Sequence, residues 1–187
     1  MIKIDGKAFS QTVLEKIREE HSQLKEKYGK PAGLAVVIVG NNPASQVYVK
    51  NKIRACENVG FYSENIELDE NISEKELLQE INKLNKNDRI NGILVQLPLP
   101  AHINELKIID SISPEKDVDG FHVSNIGKMV IGDETGFLSC TPYGIMQLLE
   151  EYKIEIAGKD AVIIGRSNIV GKPMAFMLIQ KGATVQV

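Results

Sequence analysis

The run Leu34-Ala-Val-Val-Ile-Val39, closed by Gly40, constrains the fold more than any other stretch of the chain. Alternate residues of a strand point to opposite faces, and here both faces are apolar. Such a strand belongs inside a parallel sheet covered on both sides. Parallel neighbours need crossover connections, usually helices, and the flanking sequence supplies them. Lys7 to Tyr28 has helical spacing, with Phe9, Val13, Ile17 and Leu24 on one side and Gly29 placed to end it. After the run, Asn41-Asn-Pro-Ala-Ser45 is turn chemistry, and a helix is expected from about Ala44 to Gly60. Asn65-Ile-Glu-Leu68 is an alternating second strand. Ser73-Glu-Lys-Glu76 has capping-box spacing and opens a helix carrying Leu77, Leu78, Ile81 and Leu84. Gly92-Ile-Leu-Val-Gln-Leu97 is the third strand, apolar except for Gln96 near its end. Strand, helix, strand, helix, strand in this order implies right-handed crossovers and an α/β fold with a mostly parallel sheet.

Ligands of such sheets bind beyond the carboxyl ends of the strands, which directs attention to three residues. Tyr48 and Lys52 lie four apart on the helix that follows the first strand, so they share one helix face. Stepping 100° per residue puts Val49, Ile53 and Cys56 in an apolar stripe about 110° round from Tyr48, with Lys52 at about 40° on its shoulder. Lys50, Arg54 and Glu57 fall on the other side. A lysine beside a buried face is partly desolvated, which moves an ammonium towards useful acid/base chemistry. The plainer alternative is a lysine snorkelling past an apolar edge, with Tyr48 as packing. Gln96 falls on the same rim. The Leu97-Pro98-Leu99-Pro100 segment beyond it cannot continue an interior strand, because Pro98 and Pro100 have no amide hydrogen, and it offers a ligand a stiff wall. In Asp117-Val-Asp-Gly-Phe121, Asp117 and Asp119 either cap a turn together or present one acid to a ligand and leave the other structural. His122 is read as structural.

The later part of the chain carries a second signal. Thr141-Pro142 reads as an N-cap followed by proline at the first helical position, opening a helix to Tyr152. Asp160 to Gly165 is a strand, Gly165-Arg-Ser-Asn-Ile-Val-Gly171-Lys-Pro173 a turn into a helix, and Ala183 to Val187 another strand. This is the first half of a nucleotide-binding unit, with phosphate expected at the helix N-terminus and Arg166 as a cation to meet it. Ser167 stands where a second glycine is usual and Gly171 comes one residue late, so a close-packed strand–helix turn without a ligand is the competing reading.

Bulk properties exclude several classes. A net charge of −3 argues against a general nucleic-acid binder. No apolar run approaches the ~18 residues of a membrane span, and the first residues lack the apolar core of a signal peptide. Cys56 and Cys140 are far apart, which fits a reducing cytosol, and His21, His102 and His122 are not clustered, so no metal is assigned.

Five segments, in order, resemble the bifunctional methylenetetrahydrofolate dehydrogenase/methenyltetrahydrofolate cyclohydrolase family. They are Tyr48-Val-Lys-Asn-Lys52, Gly92-Ile-Leu-Val-Gln-Leu-Pro-Leu-Pro100, Pro114-Glu-Lys-Asp-Val-Asp-Gly-Phe121, Cys140-Thr-Pro-Tyr-Gly144 and Gly165-Arg-Ser-Asn-Ile-Val-Gly-Lys-Pro173. The resemblance implies a folate-binding catalytic domain over residues 1–140 and the start of a Rossmann-like NADP domain over 141–187. It implies oxidation of 5,10-methylenetetrahydrofolate with NADP and hydrolysis of the methenyl product to 10-formyltetrahydrofolate. Carried over to matching positions, Lys52 is the acid/base group, Gln96 tunes it, and Tyr48 positions the folate. Asp119 binds the pterin, with Leu97 and Pro98 beside the substrate, and Gly165, Arg166 and Ser167 contact NADP. A homodimer is also implied, while the bulk properties above point to a cytoplasmic protein that binds neither nucleic acid nor membrane. Ser139 departs from the proline expected before Cys-Thr-Pro. The chain is expected to be shorter than its family at the C-terminus, which leaves a folate-binding domain without turnover as the alternative. A short-chain dehydrogenase shares Tyr-x-x-x-Lys but places its nucleotide fold before that pair.

Overall fold

The apolar run is β1 (Gly33–Val39), and its residues from Ala35 to Val39 are buried. In the computed structural model, which describes residues 3–187, the chain divides into two compact units. One is Lys7–Lys116; the other is Asp117–Val187 with the segment ending at Gly6.

In the first unit β1 is the middle strand, flanked by β2 (Tyr62–Leu68) and β3 (Gly92–Val95) in the order β2-β1-β3, with both pairings parallel. The register runs from Gly33 opposite Tyr62 to Val39 opposite Leu68, and from Leu34 opposite Gly92 to Val37 opposite Val95. Ala35, Val37 and Val39 share a face and join Leu77, Ile81 and Leu84 of helix α3 (Glu74–Asn85) in the core. Val36 and Ile38 are buried on the opposite face, and α2 (Pro43–Val59) packs on β1 and β2. The ends of these helices are closed by local chemistry. Asn42 accepts from the amides of Ala44 and Ser45, Gly60 ends α2 at φ 83°, and the Ser73/Glu76 capping box is formed in both directions.

The first helix, α1 (Gly6–Tyr28), departs from its expected face. Phe9, Val13 and Ile17 are half-buried, but Leu24 is 50% exposed and His21 closes the stripe instead. His21 Nε2 accepts from the Ala32 amide at 3.1 Å, and Nδ1 lies 3.0 Å from the Val59 carbonyl. The Ala32 N–H needs an acceptor, so Nε2 carries no proton and Nδ1 is the donor to Val59. The imidazole thereby ties α1 to the segments leading into β1 and out of α2. β2 is longer than Asn65–Leu68, because the Tyr62 amide already bonds the Ala32 carbonyl. β3 stops at Val95, short of the expected Leu97. The Gln96 amide makes one more bond, to the Val37 carbonyl, before Pro98 withdraws a donor. A short helix, α4 (Glu105–Ser111), follows, capped by Asn104, and Glu105 accepts from the Leu99 amide at 3.0 Å.

In the second unit α5 (Val123–Ile131), α6 (Cys140–Glu151) and α7 (Gly171–Gln180) accompany a parallel pair, β4 (Asp160–Val162) and β5 (Thr184–Gln186). Its core is built on Met129, Met146, Met174, Met177 and Leu178. Two expectations are corrected here. α6 begins at Cys140, so Thr141 is inside the helix rather than capping it, and Pro142 is its third residue. The N-cap position falls to Ser139, whose fully buried hydroxyl makes no capping bond. β4 ends at Val162 rather than Gly165; the Ile163 amide adds a last bond to the Gln186 carbonyl, and the chain then turns through Gly165 at φ 138°. The all-parallel sheets, covered by helices on the first unit, make this an α/β protein.

Candidate functional site

The faces of α2 follow from its sequence. Val49 and Cys56 are buried, Ile53 and Lys52 are half-buried, and Lys50, Arg54 and Glu57 are exposed. Burial, with a smaller contribution from Glu57, pushes the Cys56 thiol up, so Cys56 is packing and not a nucleophile. Lys52, on the edge of the buried stripe, reaches the end of β3 and donates from Nζ to Gln96 Oε1 at 3.2 Å. The glutamine cannot turn over without loss. Its Nε2 donates to the Leu97 carbonyl at 2.8 Å, while its backbone amide is in the ladder with Val37. Only the carbonyl end of the amide is left for the lysine. Lys52 uses one of its three N–H groups here, and Tyr48, one turn earlier, is 62% exposed. Leu97 is half-buried and Pro98 exposed, joined by a cis peptide bond, and the next residue, Leu99, is buried. The first unit therefore brings Lys52 and Gln96 into contact at the carboxyl end of the sheet, with Tyr48 and the proline segment on their own elements.

The two acids of Asp-Val-Asp-Gly are divided by their surroundings. Asp117 is 2% exposed, and its Oδ2 accepts from the His122 amide and from Asn125 Nδ2, both at 2.8 Å. His122 is itself structural, accepting at Nδ1 from the Ser124 amide as the N-cap of α5. Asp119 is half-buried. The turn between them closes with the Gly120 amide on the Asp117 carbonyl at 3.2 Å, and Gly120 adopts φ 68°. Just before this turn, Lys116 Nζ donates to the Leu84, Asn85 and Asn87 carbonyls at 3.2, 2.8 and 3.0 Å, closing the C-terminal end of α3 in the first unit.

At the start of α7, Ser167 Oγ accepts from the amides of Val170 and Gly171, at 3.1 and 3.3 Å. Arg166 is exposed. A Cβ at Gly171 would meet the Gly165 carbonyl oxygen at 2.1 Å, whereas one at Gly165 would meet nothing within 4 Å. Gly171 is thus the glycine that permits close strand–helix approach, and the space beside Gly165 is open. Sequence reasoning placed Gly165, Arg166 and Ser167 in one turn but gave Gly171 no role; its displaced spacing was the available signal. Asn125 was missed outright, because α5 is short and contains Gly127.

A parallel sheet with a lysine–glutamine pair at its carboxyl edge, in a chain that also carries a glycine turn opening a helix between parallel strands, defines a two-unit α/β class of protein. The model of the tetrahydrofolate dehydrogenase/cyclohydrolase catalytic domain matches residues 4–119, and that of the corresponding NAD(P)-binding domain matches residues 139–187. The chain belongs to the tetrahydrofolate dehydrogenase/cyclohydrolase family. It is 54% identical over 184 residues to the bifunctional protein FolD of Burkholderia mallei, covering 98% of this chain and 64% of that relative. The chain thus spans about two thirds of the length of the curated relatives it matches. Among solved structures, the bifunctional FolD methylenetetrahydrofolate dehydrogenase/cyclohydrolase of Campylobacter jejuni superposes with a TM-score of 0.96 at 55% identity, over 98% of this chain and 65% of that one. The Trypanosoma brucei enzyme, solved with NADP and an inhibitor, gives a TM-score of 0.96 at 36% identity, over 100% of this chain and 63% of that one.

Proposed function

We propose that the protein oxidises 5,10-methylenetetrahydrofolate to the methenyl form with NADP and hydrolyses that product to 10-formyltetrahydrofolate. The observation that carries this reading is the Lys52–Gln96 bond, which aims an amine at the rim of the sheet. Lys52 takes the proton of the water that attacks the methenyl carbon. Gln96, held by Leu97, fixes the direction of Nζ. Tyr48 packs against the folate, Leu97 and Pro98 wall the substrate, and Asp119 accepts hydrogen bonds from the pterin.

The turn before α7 suits a dinucleotide: it has open space beside Gly165, an exposed guanidinium at Arg166 and a tight approach at Gly171. Gly165, Arg166 and Ser167 would hold the phosphates or ribose of NADP, which when bound accepts the hydride. The protein's task in that step is to hold the two reactants together. We assign residues 1–140 to the folate part and 141–187 to the cofactor part, supported by the two family matches. A homodimer is proposed on the family resemblance alone, and sedimentation of the protein checks it; a cytoplasmic location is proposed on the two separated cysteines.

The test is methenyl hydrolysis and NADP reduction by this chain and by Lys52→Met. Hydrolysis by the parent chain, and a loss of about 100-fold or more in the variant with an unchanged circular dichroism spectrum, supports the assignment. Retention of most of the activity removes Lys52 from its role. Folate binding with neither activity favours a binding domain without turnover.

A further inference from the structure

None of the five segments named above includes Asn125, which is 2% exposed in the first half of α5. Its amide is used at both ends. Nδ2 donates to Asp117 Oδ2 at 2.8 Å, and Oδ1 accepts from the Phe137 amide at 3.3 Å. Few side chains fit this position. It needs one donor and one acceptor on a short planar group, so aspartate lacks the donor, leucine lacks both, and serine is too short to span them.

The two bonds bear on a single loop. Asp117 begins it and closes it by accepting from the His122 amide, and the Gly120 amide folds back on the Asp117 carbonyl. The segment that includes Phe137 lies against the other side. A Cβ at Gly120 would meet Leu138 C at 2.6 Å and the Phe137 carbonyl oxygen at 2.8 Å. Cys140 Sγ donates to the Val118 carbonyl at 3.3 Å. Asp119 stands in the middle of this loop, two residues from the carboxylate that Asn125 holds. We infer that Asn125 is a positioning residue that sets the place of Asp119 for the folate, an inference that rests on the assignment of Asp119 to the pterin. Without the Asn125 donor, the buried Asp117 carboxylate keeps one of these two N–H partners. The Phe137 segment is also untied from the loop, and a ligating group displaced by about 1 Å is expected to lose much of its function.

The test is a double-mutant cycle read by calorimetric binding of tetrahydrofolate to the whole protein, with Asp119→Ala, Asn125→Asp and both together. Asn125→Asp is expected to weaken binding at least tenfold and to raise KM for the methenyl substrate with kcat kept within twofold. Combined with Asp119→Ala it should weaken binding no further than Asp119→Ala does alone, because it acts through that carboxylate. Wild-type affinity in Asn125→Asp, or additive losses in the double variant, overturns the inference. If Asp119→Ala itself binds normally, the pterin assignment fails first and the inference falls with it. Should Asn125→Asp not fold, Asn125→Ser completes the same cycle.

Discussion

Replacing Gly120 by alanine probes the Asp119 loop without touching a polar group. Two costs add. At φ 68° an alanine sits in the left-handed region, which is worth about 1–2 kcal/mol. The new Cβ also meets three backbone atoms, at 2.6 Å (Leu138 C) and 2.8 Å (Leu138 O and Phe137 O). Backbone cannot rotate away as the tip of a long side chain does, so the two segments must separate by several tenths of an ångström, an overpacking cost of about 1–3 kcal/mol. The sum is about 2–5 kcal/mol. Gly29→Ala supplies the control. Gly29 has φ 69° and nothing within 4 Å of its Cβ position, so that variant carries the backbone term alone. Denaturant unfolding of both variants, followed by circular dichroism, should place Gly120→Ala about 1–3 kcal/mol below Gly29→Ala. Equal losses would show that the loop and the 137–138 segment separate freely, and would remove the physical basis for a fixed Asp119.

Two further predictions concern stability. Glu76 is held below the ordinary glutamate range, first by the Ser73 side chain and then by the Ser73 amide, as its capping box requires. A depressed carboxylate contributes stability above its unfolded value that is lost as pH falls through the folded one. Melting temperature should therefore drop below about pH 4.5, and less steeply in Glu76→Gln. Ser139→Ala removes a buried hydroxyl that has no partner and should raise stability by about 1 kcal/mol in the same denaturant assay; a loss would reveal a bond that the hydroxyl makes in solution.

The parts of this fold that were legible in the sequence are those set by short-range patterns. The doubly apolar β1, the Ser73 capping box and the Gly60 stop each carry their reason within a few residues, and the structure has them where the pattern puts them. Lys52 was found at the edge of the α2 stripe because helix geometry alone fixes that shoulder. What was illegible depends on partners distant in sequence. Nothing near His21 announces that it will satisfy Ala32 and Val59, so Leu24 took its place in the expected stripe. Thr141-Pro142 has the composition of a helix start, yet the helix begins at Cys140 because local preference does not fix the first turn. Asn125 has meaning only beside Asp117 and Phe137, which α5 and the chain after it bring together. The doublet Asp117/Asp119 was readable as a pair, but which member is spent on structure is a matter of burial.

Both ends of the Lys52–Gln96 bond, and the Leu97 carbonyl that holds the glutamine, belong to the Lys7–Lys116 unit. The nucleotide-type turn at Gly165–Gly171 belongs to the other. Heritable change can therefore work on the two independently. Substitutions in the turn leave the lysine's hydrogen-bond partner, and the carbonyl that holds it, in place.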